Sequence, residues 1–460
     1  MKKSYRWLVL PVSTSIAVTS FSAHSTSDAS RPEAERQSAY ALSTLIEIAV
    51  ERDSNRKQYF SQSQAMRETG VAQSSLMDPK LKFGIGGLPV DSFKLDEDPM
   101  TNLSVGLMQQ FERGSTLALQ QQRANHQAMG IEIQAELRER DVINAMTQLW
   151  IELAYQQRTQ QLLEQNRQLM VEMAQFIETN YAIGKSEAQD LLNAQLQVSK
   201  ADDKLQANAQ MQRRIVAQLS EWLGAQWLDL QAEGPKVLSA SLDISWSTLD
   251  ALLAQHSDAD LYQRLNQHPA ARVHDAMIRA NETQVSVAEQ AYTPQFGVEV
   301  MYAYRQAESM GGGPASDLVS AYVTMDIPLF TGNRQDRQLA AAQHQVGAVR
   351  AQKDALLEQM HAQVNALLVD RDNLAQRIER YQDTLLPQAS ARIEAIERGY
   401  QNNTAQFNDV IVATSEKLTL TIELERLSAD LSRVNSQLAT LLSGFDEPLA
   451  PRAETTRRTN

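Results

Sequence analysis

Cysteine is absent from this 460-residue chain, and glycine (18 residues), proline (13) and aromatic residues (6%) are scarce. Without cysteine, the printed sequence has no disulfide, thiolate metal site, cysteine nucleophile or lipidated cysteine. The shortage of glycine and proline among many Ala, Gln, Leu, Glu and Arg residues favours long helices over compact mixed domains. The formal net charge of −13 argues against nonspecific nucleic-acid binding, which requires clustered Lys and Arg.

The N-terminus has the layout of a secretory signal peptide. A short basic stretch is followed by an apolar run at residues 7–18 and by small residues up to Ala23. The run is too short for a good membrane span, and Pro11 suits the core of a buried helix poorly. We therefore expect a signal peptide at residues 1–23, the alternative being a buried N-terminal helix.

The rest of the chain contains an internal repeat, which indicates two halves of similar structure. Three pairs of segments match in the same order, with members 213 to 219 positions apart: 78–84 with 293–297, 113–127 with 331–345, and 181–194 with 400–413. Each half predicts a helix, two strands joined by a turn-rich loop, and two very long helices that reverse at a tight turn.

The predicted elements have the following bounds. The first helix of each half spans Tyr40–Leu76 and Pro269–Tyr292. The strands span Lys80–Val90, Leu103–Phe111, Phe296–Tyr304 and Val319–Phe330, and the long helices reverse near Gly184 and near Asn402 and Asn403. A single helix from Ser115 to Tyr181 would be about 100 Å long, which suits a structure that crosses a periplasm.

Heptad spacing predicts that the long helices pair as antiparallel coiled-coil hairpins. In the last helix the spacing is carried by Leu420, Leu424, Leu427, Leu431, Val434, Leu438 and Leu441. In its partner it is carried by Met360, Val364, Leu367, Leu374, Ile378, Tyr381 and Leu385, with Arg371 interrupting. The periodicity alone is also compatible with a helical bundle that has no pore.

The strands are the feature that discriminates between these two architectures. Apolar residues alternate with mostly polar or small ones along Phe296–Tyr304, along Leu103–Met108 and along Ala321–Leu329. Alternation over about nine residues is typical of strands in a membrane barrel. Because four strands cannot close a conducting barrel, several chains would have to share one.

The two reversals carry a common pattern: an aromatic residue, a turn residue, then Asp, two aliphatic residues and Ala. It is present as Tyr181, Gly184, Asp190-Leu191-Leu192 and Ala194, and again as Tyr400, Asn403, Asp409-Val410-Ile411 and Ala413. On these motifs and the duplication, the chain resembles the TolC-like outer-membrane efflux proteins over nearly all of its mature length. Ser54 departs from the proline that the family often has there, whereas the second half keeps Pro269.

The resemblance implies a mainly helical fold with a membrane β part. In that fold each chain contributes duplicated α-helical coiled-coil hairpins to a trimeric α-barrel of twelve helices and four strands to a shared 12-strand transmembrane β-barrel. It implies a homotrimer in the outer membrane that contacts lipid and extends into the periplasm. The partners would be a periplasmic adaptor (membrane fusion protein) and an inner-membrane pump of the resistance-nodulation-division type.

The resemblance also implies a periplasmic gate near the reversals. Asp190 and Tyr400 match latch positions, and Asp409 matches an acidic ring that narrows the opening and favours cations. Ala405 and Val412 replace charged residues, so fewer ionic links are expected. The alternative for both aspartates is N-terminal capping of the helices at the turns. The turns themselves, at Tyr181, Gly184, Asn402 and Asn403, are expected to contact the adaptor, and Asn403 tolerates positive φ better than most residues.

The implied function is passive conduction in a tripartite efflux pump, without enzymatic activity or a cofactor. The segment Asp98–Phe111 resembles the heavy-metal branch of the family, which makes metal cations the expected substrate. Drugs, other organic compounds and a type I secreted polypeptide are alternatives, and a periplasmic adaptor or a structural coiled-coil protein is the competing class. His126, His268, His274 and His344 form no recognisable metal motif.

The expected domain organisation follows from the repeat. A linker at 24–38 precedes a first repeat at 39–224, which comprises a helix, a strand pair at 80–111 and a hairpin at 114–224. An equatorial region at 225–265 precedes the second repeat at 266–445, with a strand pair at 295–330 and a hairpin at 333–445. A polar C-terminal tail at 446–460 ends the chain.

Overall fold

The computed structural model describes residues 41–227, 238–255, 258–309, 311–402, 404–446 and 449. The predicted signal peptide, the linker at 24–38, most of the tail at 446–460 and Asn403 lie outside the described residues.

The first half contains two helices, two strands and a helical hairpin. Its elements are α1 (Leu42–Arg52), α2 (Ser54–Gln73), β1 (Lys80–Gly86), β2 (Asn102–Gln110), α3 (Thr116–Ala182) and α4 (Ala188–Leu223). Helix α3 has 67 residues and is therefore about 100 Å long, as the sequence predicts. Helices α3 and α4 form the first hairpin.

The second half repeats this order after one additional helix. Its elements are α5 (Ser247–Gln255), α6 (Asp258–Gln267), α7 (Pro269–Gln290), β3 (Gln295–Tyr304), β4 (Leu318–Asp326), α8 (Gln335–Arg380), a π-helical segment (Tyr381–Leu385), α9 (Leu386–Gln401) and α10 (Phe407–Leu442). The second hairpin consists of α8, the π segment, α9 and α10. No helix among the described residues is both long enough and apolar enough to cross a membrane.

The four strands form one antiparallel sheet in the order β1-β2-β3-β4. The pairing of β2 with β3 joins the two halves. Two strands end earlier than the sequence predicts. Strand β1 ends at Gly86 because Gly87 has a φ of +64° and begins the turn, and β4 ends at Asp326 because Pro328 has no N–H to donate to a ladder.

The predicted single helix over Tyr40–Leu76 is wrong, because the chain breaks at Asp53. This residue has extended backbone (φ −56°, ψ 113°), and its Oδ1 accepts a hydrogen bond from Arg56 N at 2.6 Å, which caps α2. The second half has the same arrangement, in which His268 Nδ1 accepts from Ala270 N at 3.2 Å and caps α7. A capped break between two helices is therefore part of the repeat.

Two apolar clusters hold the body of the molecule together. The first joins α1, α3, α4 and the C-terminal segment through fully buried residues such as Leu45, Met146 and Leu219. The second joins α8 and α10 with the equatorial helices. It contains the predicted heptad residues Met360, Val364, Leu367 and Leu438, together with Leu442, Leu249 and Leu265. The pairing of α8 with α10 is thus confirmed.

Arg371, which interrupts the heptads of α8, forms polar contacts with two other helices. Its Nε donates to Asn435 Oδ1 of α10 at 2.9 Å, and its guanidinium forms an ion pair with Asp250 of α5. The interruption therefore links the second hairpin to the equatorial helices.

The C-terminal segment caps α5. Asp446 accepts hydrogen bonds from Thr248 N at 2.7 Å, from Ser247 N and Oγ at 3.0 Å each, and from Ser245 Oγ at 2.5 Å. Partial burial raises the pKa of Asp446, but these hydrogen bonds outweigh burial and hold the pKa well below its usual range. Residues about 200 positions apart are thereby fastened together.

The heptad spacing predicts regular helix up to Leu385, but α8 ends at Arg380. The chain continues through the π segment at Tyr381–Leu385. Pro387 follows it as the second residue of α9. Proline lacks the N–H that would bond to the carbonyl four residues earlier, and its ring crowds that carbonyl. The π turn widens the helix directly before this defect.

Candidate functional site

The first hairpin turns at Gly184. Gly184 has a φ of +74°, a conformation that glycine adopts without a steric penalty. Gly184 N donates to Tyr181 O at 2.9 Å, and Lys185 N donates to Asn180 O at 2.8 Å. Bonds of this kind satisfy carbonyl groups at the end of a helix. The predicted reversal is therefore observed, and the side chain of Tyr181 is 46% exposed beside it.

The second hairpin closes with the same type of bond. Thr404 N and Ala405 N both donate to Gly399 O, at 2.8 and 3.2 Å. Asn402 lies at the end of α9 and donates to Arg398 O at 3.2 Å. The equivalent bonds of the two turns, from Lys185 and from Thr404, lie 219 positions apart, and the expectation of positive φ at Asn403 stays a prediction.

Asp190 and Asp409 have matching places at the starts of α4 and α10. Each is the third residue of its helix and accepts a hydrogen bond from the backbone N–H of the residue before the helix. The donors are Glu187 N to Asp190 at 3.4 Å and Gln406 N to Asp409 at 3.0 Å. Both helices thus begin with a capping box. The capping interpretation is confirmed, and the gate role stays a prediction.

Tyr400 lies against the second turn. Its ring packs on Phe407 with centroids 6.0 Å apart and an interplanar angle of 58°. Among the described residues of the single chain, no hydrogen bond joins Tyr400 to Asp190. A latch between these two residues would therefore have to form between chains. Ala405 is half-buried, and Val412, in the place of the second acidic residue, is 49% exposed.

An apolar cluster that the heptad spacing does not predict joins the tips of the two hairpins. We call it the tip cluster, and its buried members are Ile177, Ala194, Phe407 and Ile411, with exposed fractions of 0%, 2%, 9% and 3%. Met173, Ala174, Leu191 and Tyr400 are half-buried around it. The available signal was the spacing of four between Phe407 and Ile411, which places both side chains on one face of α10.

Farther from the tips, a group of charged residues joins the hairpins. Arg426 of α10 donates to Glu152 of α3 at 2.8 Å and to Asp430 at 2.6 Å, and it lies over the ring of Tyr155 at 5.0 Å. Burial raises the pKa of Glu152, but hydrogen bonds from Gln156 and Arg426 outweigh burial, so the pKa lies below its usual range. This carboxylate therefore stays charged at neutral pH.

Further polar contacts between the hairpins lie on both sides of this group. They join Ser436 Oγ to Asn144 Oδ1 at 2.8 Å, Arg433 Nε to Gln148 Oε1 at 2.9 Å, and Arg158 Nε to Glu425 Oε1 at 3.0 Å. Arg158–Glu425 is the contact nearest the tips among the described residues. It lies 19 residues before Ile177 along α3, or about 28 Å.

One face of the sheet is apolar and exposed. The register pairs Phe83 with Val105 and Val105 with Tyr302, and paired residues lie on the same face. That face carries Leu81, Phe83, Ile85, Leu103, Val105, Leu107, Phe296, Val298, Val300, Tyr302, Tyr304, Val319, Ala321, Val323 and Met325. Phe83 is 77% exposed and Val323 is 73% exposed. A contiguous apolar surface of this size indicates contact with lipid or another chain.

The opposite face of the sheet carries mainly polar and small residues, interrupted by Met108, Met301 and Leu318. Lys82 Nζ lies 2.7 Å from Glu299 Oε2, so an ion pair crosses β2 beside Gly106, which has no side chain in the way. The two faces therefore match the apolar and polar alternation that the sequence predicts. Within the described residues, no three His, Asp or Glu side chains are grouped so that they could hold a metal ion.

No protein-family model and no curated protein matches the sequence. Solved structures do resemble this chain. The outer membrane protein VceC from Vibrio cholerae is 16% identical, with a TM-score of 0.70 over 90% of this chain and 100% of that chain. This chain has the outer-membrane-channel fold. CusC, whose structures concern transmembrane channel formation, is 16% identical, with a TM-score of 0.71 over 88% of this chain and 92% of CusC.

The open state of the MtrE outer membrane channel of Neisseria gonorrhoeae also matches, at 15% identity with a TM-score of 0.60 over 90% of this chain and 91% of MtrE. The likeness to VceC and to MtrE covers 90% of this chain in each case. It confirms the predicted mainly helical class with a β part. At these identities the likeness establishes the fold alone.

Proposed function

We propose that this chain is the outer-membrane channel of a tripartite efflux assembly and conducts substrate passively from an inner-membrane pump and a periplasmic adaptor to the exterior. The observation that carries the proposal is the exposed apolar face of the sheet, opposite a polar face. Such a sheet is stable when its apolar face meets lipid and its polar face meets water. The long hairpins supply a periplasmic extension of the same chain.

Three chains would complete the channel. Within the described residues, β1 pairs only with β2 and β4 pairs only with β3, so both edges of the sheet are available to other copies. Closing four-stranded sheets from three chains would give the twelve-stranded barrel, and their hairpins would give a twelve-helix tunnel. Closure satisfies the backbone groups of both edges, which cannot bond to water within lipid.

The hairpin tips would form the periplasmic entrance. Three symmetric copies of Asp409, whose side chain is exposed, would concentrate negative charge at one constriction and attract cations. Asp190 and Tyr400 would form links between chains. Tyr181, Gly184, Asn402 and Asn403 would contact the adaptor, and the pump would be of the resistance-nodulation-division type.

Heavy-metal cations are the proposed substrate. The support is the resemblance of Asp98–Phe111 to the heavy-metal branch together with the acidic entrance that Asp409 would form. The test is deletion of the gene, followed by growth on Cu, Ag, Zn, Co or Cd salts and on dyes or drugs. Increased sensitivity to metals alone supports this substrate. Increased sensitivity to dyes alone replaces it with organic compounds and leaves the channel function intact.

Membrane fractionation tests the channel itself. We expect the protein in the outer-membrane fraction, extracted only with detergent, as a trimer of the mature chain. A water-soluble monomer would contradict the channel and favour the periplasmic adaptor or structural coiled-coil class. A variant with Phe83→Asp and Val323→Asp, both on the apolar face, should lose membrane insertion. Its matched control, Ser104→Asp on the polar face, should insert.

A further inference from the structure

The outer part of the second hairpin has little buried surface along its length. No residue of α9 is buried, and α8 has no buried residue after Leu367. In α10 the buried residues closest to the turn are Phe407, Val410, Ile411 and Ala413, and the next one along the helix is Leu427. We call the part from Leu386 through the turn to Glu423 the outer arm.

Polar contacts fasten the second hairpin to the first only up to the base of this arm. Among the described residues, no hydrogen bond or ion pair between the hairpins lies nearer the tips than Arg158–Glu425. Tyr381, the first residue of the π segment, donates to Glu423 Oε2 at 2.7 Å. Glu423 and Glu425 lie in the same turn of α10, so the π segment lies where these polar contacts end.

Beyond that level, the tip cluster holds the outer arm against the first hairpin. Ile177 and Ala194 come from the first hairpin, and Phe407 and Ile411 come from the second. The arm therefore has an irregular helical turn at its base and a buried apolar contact at its end. A helix bends readily at a π turn, and the missing N–H of Pro387 removes another restraint at the same place.

We propose that the tip cluster is an apolar latch within each chain and that the π segment is the pivot about which the outer arm swings when the channel opens. This inference rests on the proposed channel function. The latch would hold the entrance closed through buried apolar area, so opening would expose Phe407 and Ile411 to water. Such a latch needs no charge at Ala405 or Val412.

Salt dependence separates this latch from an ionic one. Screening weakens exposed ion pairs, because the Debye length falls from about 10 Å at 0.1 M salt to about 3 Å at 1 M. An apolar contact is not screened in this way. The effect of breaking the tip cluster should therefore be the same at both salt concentrations.

The first experiment measures the open fraction of purified trimers in planar bilayers. Phe407→Ala with Ile411→Ala should raise the open fraction roughly tenfold or more, because large-to-small changes in buried sites remove apolar contacts and leave a cavity. Val412→Ala is the matched control: it lies next to Ile411 on α10 but is 49% exposed. It should leave the open fraction near that of the wild type.

The second experiment does not depend on destabilising the tip. The chain has no cysteine, so Ala194→Cys with Ile411→Cys places one thiol on each side of the cluster without background. Oxidation with copper phenanthroline should link the two within one chain, which migrates as a monomer on a denaturing gel. The link should reduce the open fraction, and dithiothreitol should restore it.

The outcomes distinguish the latch from the channel. Wild-type trimers that conduct, together with a Phe407→Ala/Ile411→Ala variant that behaves like Val412→Ala, overturn the latch and leave the channel function standing. A cysteine pair that links only chains to one another also overturns it. Trimers that never conduct, in the wild type or in any variant, contradict the channel function and the latch together.

Discussion

The two hairpins begin from equivalent sequences and differ in how their outer parts are held. Their turns share one equivalent backbone bond, donated by Lys185 N and by Thr404 N, and both return helices start with a capping box. Yet α3 runs for 67 residues without interruption and has buried residues as far as Ile177, whereas the second hairpin contains the π segment and α9 has no buried residue. A shared local pattern therefore sets the turns, whereas the two hairpins differ in how much of each helix is buried.

The largest effect on the stability of the hairpin tips is expected from substituting Ile177. Its side chain is fully buried, whereas that of neighbouring Phe176 is 51% exposed. Ile177→Asp would place a carboxylate in the tip cluster and should destabilise the tip locally by about 3–5 kcal/mol. Trypsin cleavage at Lys185, in the turn, should then accelerate strongly, whereas Phe176→Asp should change it little. Equal cleavage rates in the two variants would show that the cluster does not order the tip.

The next largest effect is the loss of folding stability at low pH, which should differ between the two helix caps, Asp53 and His268. Burial lowers the pKa of His268 from 6.5 to about 4, and nearby Arg140 acts in the same direction. The unfolded chain takes up the proton near pH 6.5 and the folded chain does so only near pH 4. Stability contributed by the neutral ring is therefore present above pH 6.5 and is lost as the pH falls to about 4, on the order of 3 kcal/mol per chain.

Thermal unfolding of the protein between pH 7.5 and pH 4.5 measures this loss. His268→Asn keeps a capping side chain that does not titrate, so its unfolding temperature should fall less across this range. At Asp53, burial raises the pKa, but hydrogen bonds from Arg138 and Arg56 N outweigh burial and lower it. The stability that Asp53 contributes should therefore be lost only when the pH falls below the usual pKa range of an aspartate. Identical pH profiles for the wild type and His268→Asn would contradict the assignment.

A smaller effect is expected from straightening the second hairpin so that it resembles the first. Deleting Thr384 from the π segment, together with Pro387→Ala, should restore continuous α-helix, because a π turn corresponds to one inserted residue in an α-helix. The open fraction in bilayers should fall several-fold. Pro387→Ala alone is the control and should change it less. A straightened hairpin that opens as often as the wild type would exclude the pivot.

The smallest effect is expected from substituting the aspartates at the two turns, which tests their capping role and their charge separately. Asp190→Asn and Asp409→Asn should each cost about 0.5–1 kcal/mol of helix stability, measured by hydrogen exchange in the first turns of α4 and α10. Asp409 is exposed and Asp190 is half-buried. Reversal potentials in a salt gradient should therefore show reduced cation preference for Asp409→Asn and less change for Asp190→Asn. An unchanged preference in both would remove Asp409 from the entrance.

Much of the fold followed from local patterns. Alternation predicted three of the four strands, and the repeat predicted the hairpins and both turns. The break at Asp53 was missed because Asp also occurs within helices, and only its hydrogen bond to Arg56 N identifies it as a cap. The heptad spacing shows Arg371 only as an interruption. Its contacts could not be predicted, because its partners Asn435 and Asp250 lie 64 and 121 positions away.

At the candidate site, the sequence located the residues but not their contacts. The spacing placed Asp190 and Asp409 at the starts of their helices, and both have that position in the structure. It did not show that Tyr400 packs on Phe407 or that Ile177 meets Ile411 in one cluster. Those contacts join helices from different halves of the chain, and periodicity along one helix does not specify them.

The sequence by itself determined the duplication, the helix and strand periods, the turns and the alternation of the sheet, because each depends on residues close together in the chain. The tertiary structure decided that the two tips meet in an apolar cluster, that the polar contacts between the hairpins stop at Arg158–Glu425, and that the apolar residues of the four strands gather on one face of the sheet. These features depend on the distances between elements that lie far apart in sequence, and those distances are set only when the whole chain packs.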